Sequence, residues 1–331
     1  MPKISLVIPS NHSSFLVSKL LLSVLDGNVL PSEVFIVVSG DGQLSLEIIS
    51  PARSKFLKKN IPVYILIQQN SPLPGSSRNS GVEMAVGDYL CFLDVQTLPN
   101  PNWLESATTL LNNADVDGVW GSCYYEADSW FTSLLRDSIY GRNGIRSLPG
   151  TIFRRECYLT TGKMVSWVPS GEDVDWMHRV LIHKLNFVRA KDNNIIYTGL
   201  NNKSLLFFIK KWWKYYHNSR LLSINDRDRW LSNFFVYLII IFTAFNWNYK
   251  ISEYIFGVSF LVPHITKLVV IFAPIFYVIM RGIYLPLKRG VPIGQVLPFR
   301  FVSIAAIAFL LDMVKLIALF SPARITIAKI K

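Results

Sequence analysis

Cysteine is scarce in this chain. Its 331 residues hold three, Cys91, Cys123 and Cys157, far apart and odd in number. With no CxxC and no Cys/His spacing, a disulfide framework or thiolate zinc site has no sequence support. Reduced, buried thiols in a cytoplasmic compartment are expected. The five histidines offer no metal pair either: His178 and His183 are five apart, on different faces of a helix. Acidic residues are nearly missing from the last third. Residues 231–331 carry 10 Lys/Arg against 2 Asp/Glu, a net of +8, while residues 1–230 carry 24 against 20. This positive excess lies between apolar segments, not on one polar face, so it argues against nucleic acid and for an anchor beside anionic lipid. No signal peptide opens the chain. It starts on a strand, "KISLVIPS", which places the first domain in the cytoplasm as an expectation.

Apolar residues are abundant. They make up 51% of the chain, and the mean hydropathy is +0.32, which suits a protein partly in lipid. In the first half, short apolar runs alternate with helical patterns. Ile4–Ile8, Val34–Val38, Val63–Ile67 and Tyr89–Leu93 read as strands, with helices over Phe15–Leu25, Gln43–Asn60 and the "SSRNSGVEMAVGD" stretch. This β-α-β alternation predicts an α/β domain with a mostly parallel sheet covered on both faces. Such sheets bind ligands beyond the C-terminal ends of their strands, where Asp41 and Asp94 fall. Pro101–Asn113 reads as a helix and Gly118–Tyr125 as a strand. Residues 126–148 lack a clear period and read as a mobile loop.

The membrane region begins near residue 204. In "SLLFFIKKWWKYYHNSRLL", Leu205, Phe208, Ile209, Trp212 and Tyr216 share a face bordered by Lys210, Lys211, Lys214 and Arg220. That pattern suits a helix in the membrane interface; a core helix with a basic rim is the alternative. Lipid-length segments follow at Leu231–Trp247, Tyr254–Met280 and Phe301–Phe320. In the last, Asp312 and Lys315 are three apart and could pair. The division expected is residues 1–203, an interfacial helix over 204–230, and a membrane region over 231–331 with two to four spans. The basic loop 281–300 reads as cytoplasmic.

The chemistry-bearing residues lie in the first domain. Gly40, Asp41 and Gly42 form a tight turn after the second strand, where Asp41 could bond a base or ribose. Arg78 and Asn79 stand at a helix start, where Arg78 could neutralise phosphate. Asp94 ends the fourth strand. "SGEDVDW" puts Glu172, Asp173 and Asp175 in one helical turn, where a general base could be tuned or a helix merely capped.

Taken in order, "SLVIPS", "EVFIVVSGDG", "SSRNSGVEMAVGDYLCFLD", "PNPNWLE", "GTIFRREC" and "GEDVDW" resemble the family-2 glycosyltransferases with the GT-A fold, a Rossmann-like architecture. The likeness covers about residues 1–225. It implies a nucleotide-sugar donor (UDP-, GDP- or dTDP-linked) bound by Pro9, Ser39, Asp41, Arg78, Asn79 and Asp94. It implies that Asp173 is the base of an inverting transfer, with Glu172 beside it. Trp120, Gly121 and Trp176 would shape the sugar or acceptor pocket. With the membrane segments, the acceptor implied is polyprenyl-linked, at the cytoplasmic face of a bacterial inner membrane, in surface-polysaccharide synthesis.

Three departures stand out. Ser39 replaces the family's first acid after the second strand. Gln96 replaces the second acid of the Asp-x-Asp motif, a common ligand of Mg²⁺ or Mn²⁺. Thr198 stands where many relatives carry His. Hard cations want charged oxygens, so a metal would rest on Asp94 and the diphosphate, or be replaced by cations such as Arg78 or a lysine. Two other readings are a silent nucleotide-binding partner or scaffold and a processive polysaccharide synthase. "DRDRW" at 226–230 is too weak a match to the synthase motif to support the latter.

Overall fold

A computed structural model describes residues 2–11, 14–39, 44–68, 73–219, 222 and 265–321. Four strands form in the first third: β1 (Ile4–Ser10), β2 (Glu33–Ser39), β3 (Val63–Gln68) and β4 (Tyr89–Phe92). Helices α1 (Ser14–Leu25), α2 (Leu46–Lys58) and α3 (Pro74–Met84) join them. β1 pairs in parallel with both β2 and β4, and β2 with β3. The β1 and β2 runs are apolar without alternation because helices cover both faces of the sheet. Side chains split by the two-residue period. Ile4, Leu6, Ile8, Val34, Ile36 and Val38 pack on α1 and α2, while Val7, Phe35 and Val37 face the other core with Val82 of α3.

Beyond β4 come β5 (Thr97–Pro99), α4 (Trp103–Leu111), β6 (Gly118–Tyr125), α5 (Trp130–Ile139), β7 (Ile145–Arg154), α6 (Arg155–Thr161), α7 (Glu172–Ile182) and β8 (Phe187–Tyr197). The sheet has eight strands in the order β3-β2-β1-β4-β7-β6-β8-β5. Its β4–β7, β6–β7 and β5–β8 pairs are antiparallel, so the expected mostly parallel α/β sheet acquires a mixed second half.

Residues 126–148 are not a free loop. They hold α5, started by a capping box in which Ser129 Oγ accepts from Thr132 N while Thr132 Oγ1 accepts from Ser129 N. The apolar period was hidden because its buried side includes Asp137 and Ser138 beside Leu134 and Leu135. Asp137 is fully buried and meets Arg136 at 2.9 Å, Arg300 at 2.7 Å and Arg142 at 3.6 Å. The 281–300 stretch is likewise docked on the domain. The Arg289 carbonyl accepts from the backbone N–H groups of Arg142 and Asn143.

Of the C-terminal segments, Leu231–Trp247, residues 254–264 and the "DRDRW" stretch lie outside the described residues. The longer described elements are α8 (Leu205–Ser219), α9 (Ile265–Val278) and α10 (Arg300–Phe320), with short helical turns over Ile279–Tyr284, Leu285–Lys288 and Ile293–Gln295 between the last two. Among the described residues, α10 alone is long and apolar enough to cross a bilayer. The expected Asp312–Lys315 pair does not form. Asp312 is engaged by both Arg281 Nη2 and Nε at 2.9 Å and by the Tyr277 hydroxyl at 2.7 Å. Lys315 lies over the Tyr216 ring at 4.8 Å. The forked guanidinium grips both carboxylate oxygens, which an ammonium one turn away cannot match.

The face of α8 read as lipid-facing turns inward. Phe208 is fully buried with Leu135, Leu200 and Leu311, and Trp212 packs against that cluster. Facing outward instead are Leu206, Phe207 and Trp213, near the exposed Lys210 and Lys214.

Asp137→Asn removes the carboxylate on which three arginines converge. We expect a loss of about 3 kcal/mol in unfolding free energy and faster proteolysis between residues 281 and 299, measured by denaturant titration and limited digestion. An unchanged midpoint would show that the arginine cluster does not hold the C-terminal segment to the domain.

Candidate active site

The site is assembled where β1, β2 and β4 end. Pro9 and Ser10 on β1 lie beside Val37 and Val38 on β2, and Ser39 follows, its hydroxyl donating to the Ser10 carbonyl at 3.4 Å. Asp94 leaves β4 in a turn closed by Thr97, whose N–H and hydroxyl both bond the Asp94 carbonyl. Asp41 lies outside the described residues.

Arg78 is the centre. It sits on α3, 3% exposed. Its Nη2 donates to Asp94 Oδ1 at 2.7 Å and its Nη1 to Glu172 Oε1 at 2.6 Å. One guanidinium therefore ties β4 to the start of α7. Burial opposes its charge, but Asp94, Glu172 and Asp173 outweigh that and raise its pKa.

Helix α7 begins at Gly171, whose φ of 91° is a left-handed conformation open to glycine. That turn sets Glu172 inward and Asp173 half-buried. Both acids profit from the helix N-terminus. Asp173 Oδ1 accepts from Val174 N at 2.8 Å. Burial raises the Asp173 pKa, with Asp94 adding to the effect and Arg78 working against it. Glu172 is pushed up to about 7 by burial and by Asp173, against the pull of Arg78. Its Oε2 is buried and, among the described residues, has no hydrogen-bond partner. Asp175 takes no part, being paired with Arg179 at 3.0 Å.

Four residues expected at the site do other work. Asn79 clamps a loop: its amide donates to the Met164 carbonyl and accepts from Met164 N and the Tyr158 hydroxyl. With these bonds made, its amide is engaged in holding the structure. Trp176, one helical turn after Glu172, is fully buried against Phe153. Trp120 is 2% exposed and packs on Phe187, with the Arg146 guanidinium 5.2 Å from its ring. Both indoles support the site from within the core and present no open face. Gly121 is needed because β6 approaches β7 so closely there that a side chain would strike the Pro149 carbonyl.

Two residues were missed. Tyr197 ends β8, and its hydroxyl donates to Gln96 Oε1 at 2.9 Å. Lys211 of α8 donates to the Tyr197 oxygen at 3.3 Å. A signal existed for Lys211: it falls three residues after the buried Phe208, on the inward side of its helix. The departures Gln96 and Thr198 also meet, since Thr198 donates to the Gln96 carbonyl from its N–H at 2.9 Å and its hydroxyl at 3.1 Å.

Among the described residues, this donor set does not fit a divalent cation held by protein ligands alone. Asp94 supplies one carboxylate, with an oxygen committed to Arg78. The Gln96 side-chain oxygen is committed to Tyr197. Among the described residues, no group of three His, Cys, Asp or Glu side chains is placed to hold a metal.

Residues 5–166 match the model for "Glycosyl transferase family 2". Glycosyltransferase AglE of Haloferax volcanii is 27% identical over 191 residues, covering 54% of this chain and 61% of that protein. The amylovoran biosynthesis glycosyltransferase AmsB of Erwinia amylovora is 30% identical over 117 residues, covering 34% and 37%. The chain thus spans less than two thirds of the curated relatives it matches. Among solved structures, the mannosyltransferase PcManGT from Pyrobaculum calidifontis, in complex with GDP-Man and Mn²⁺, aligns with a TM-score of 0.50 at 15% identity, over 68% of this chain and 65% of that one. That likeness is one of fold, and the fold is GT-A.

Raising the Glu172 pKa links stability to pH. An acid held at about 7 when folded and at 4.5 when unfolded stabilises the protein fully below 4.5. That contribution is lost as pH rises through 7. Glu172→Gln should therefore flatten the decline in unfolding free energy between pH 4.5 and 7, measured by urea titration across that range. A variant with the wild-type slope would contradict the assigned shift.

Proposed function

The chain carries a family-2 glycosyltransferase domain over residues 5–166, and from that premise we propose that it transfers a sugar from a nucleotide donor, with inversion, to a lipid-linked acceptor. The observation that carries this reading is the buried Arg78 joining Asp94 to Glu172, with the half-buried Asp173 next in the chain and within reach of the charges of Arg78 and Asp94. Asp94 sits at the C-terminal end of a parallel strand, where α/β sheets take nucleotides. A half-buried carboxylate with a raised pKa at a helix start is a candidate general base.

In the proposed reaction, the Asp173 carboxylate accepts the proton of the acceptor hydroxyl. The freed oxygen attacks the anomeric carbon from the face opposite the diphosphate. The C1–O bond breaks, and its electron pair leaves with the nucleoside diphosphate. Glu172, pushed up to about 7 by burial and by Asp173, lessens the negative charge beside Asp173 whenever it is protonated. Arg78 fixes the Asp94 carboxylate and offsets the negative charge of the pocket.

The lipid-linked acceptor and a place at the cytoplasmic face of a membrane rest on α10, long enough to span, and on the outward Leu206, Phe207 and Trp213 of α8 beside basic residues. Surface-polysaccharide synthesis fits the activity named for the amylovoran relative. A UDP-, GDP- or dTDP-sugar donor is part of the proposal.

The test is nucleoside-diphosphate release by detergent-purified protein from a panel of UDP-, GDP- and dTDP-sugars with membrane lipid extract, in Mn²⁺ and in EDTA. Asp173→Asn should cut release by about 10²- to 10⁴-fold while retaining donor binding. Full activity in that variant would remove Asp173 as base. Donor binding without turnover under any condition would point to a silent nucleotide-binding partner.

A further inference from the structure

We propose that the Lys211 ammonium binds a phosphate oxygen in the cleft beyond β4, supplying the positive charge that a divalent cation would otherwise bring. The proposal rests on the transferase reading above and adds a residue to it.

Position is the first argument. Phe208, one turn earlier on α8, is fully buried in the domain, so Lys211 is carried toward the protein. Its Nζ meets the Tyr197 hydroxyl at 3.3 Å and lies 5.5 Å from the centre of that ring. Tyr197 in turn donates to Gln96, two residues past Asp94. The ammonium therefore reaches the corner of the site where the Asp-x-Asp pattern has lost its second acid.

Charge is the second. Among the described residues, no carboxylate pairs with Lys211, and its hydrogen-bond partner is a neutral phenol. Burial disfavours its charge, while the field of Asp94 favours it. A cation withdrawn from water without a counter-charge in contact is costly, and an incoming anion would relieve that cost.

The third is the chemistry of the neighbours. Gln96 and Thr198 are neutral and bonded to each other, a poor seat for a hard cation. An ammonium has three donors, of which Tyr197 takes one. The remaining donors suit phosphate oxygens. Two sources carry that chemistry: the diphosphate of the donor and the phosphate of a lipid-linked acceptor.

The full chain in detergent would be titrated in EDTA with UDP, GDP and dTDP, and with the matching nucleosides, by calorimetry. It would also be tested for retention on vesicles with and without polyprenyl phosphate. Lys211→Met should weaken nucleoside-diphosphate binding by about 10- to 100-fold, the worth of a charge-assisted hydrogen bond, and leave nucleoside binding unchanged. Lys211→Arg should restore most of it. Tyr197→Phe, which keeps the ring and removes the oxygen that orients Lys211, should give a smaller loss. A loss confined to polyprenyl-phosphate vesicles would assign the bound phosphate to the acceptor. Wild-type affinity of Lys211→Met for both ligands overturns the proposal. A wild-type chain that binds no nucleoside diphosphate overturns the transferase reading, and this inference with it.

Discussion

One buried guanidinium organises this protein. Arg78 bridges Asp94 and Glu172, with Asp173 close enough to act on its charge. At an effective dielectric of about 20, two unit charges 4 Å apart interact by about 4 kcal/mol, so the arrangement is stable only while its charges stay close to balanced. One cation facing three ionised carboxylates would leave an excess of negative charge in a poorly hydrated place. The imbalance is eased by protonation: burial raises the pKa of both Glu172 and Asp173, and the two neighbouring acids titrate as a pair.

That bridge also explains why distant segments must pack as they do. α3 brings Arg78 across the ends of β1 and β2, β4 brings Asp94, and the left-handed Gly171 turns α7 so that Glu172 enters the bridge. Asn79, next to Arg78, holds the Met164 backbone by two hydrogen bonds and takes a third from the Tyr158 hydroxyl of α6, which fixes the approach to α7. Trp176 and Phe153 form the apolar floor behind it. These residues contribute by packing the elements that carry Arg78 and Glu172.

Much of this was legible in the sequence. Unbroken apolar runs at Leu6–Ile8 and Val34–Val38 announced strands buried on both faces, and Gly-Glu-Asp announced a helix start with acids. Arg78, Asp94, Glu172 and Asp173 were all singled out there, and the structure brings them together. What it hid follows from pairing over long separations. Whether Asn79 served a ligand or the Met164 backbone could not be read from its neighbours in the chain. The indoles of Trp120 and Trp176 look the same in sequence whether they wall a pocket or fill a core. α5 was invisible because a buried aspartate, balanced by arginines up to 163 residues away, broke its apolar period. Asp312 was matched with the nearest basic residue on its own helix, whereas its partner Arg281 comes from an earlier segment.

The amphipathic pattern of α8 was also correct in kind but reversed in direction, and the reversal has a physical consequence. Because Phe208 and Trp212 pack against α5 and α10, the same helix holds Lys211 against Tyr197 on its inner side and presents Leu206, Phe207 and Trp213 on its outer side. A rotation of α8 about its axis would withdraw the ammonium from the cleft and bury or expose those apolar residues at the same time. The two faces cannot move independently, since about 100° of helix separates successive residues. In the proposed function, the surface that meets lipid and the cation that meets phosphate are therefore positioned by a single packing contact, and the α8–α10 interface sets the geometry of both.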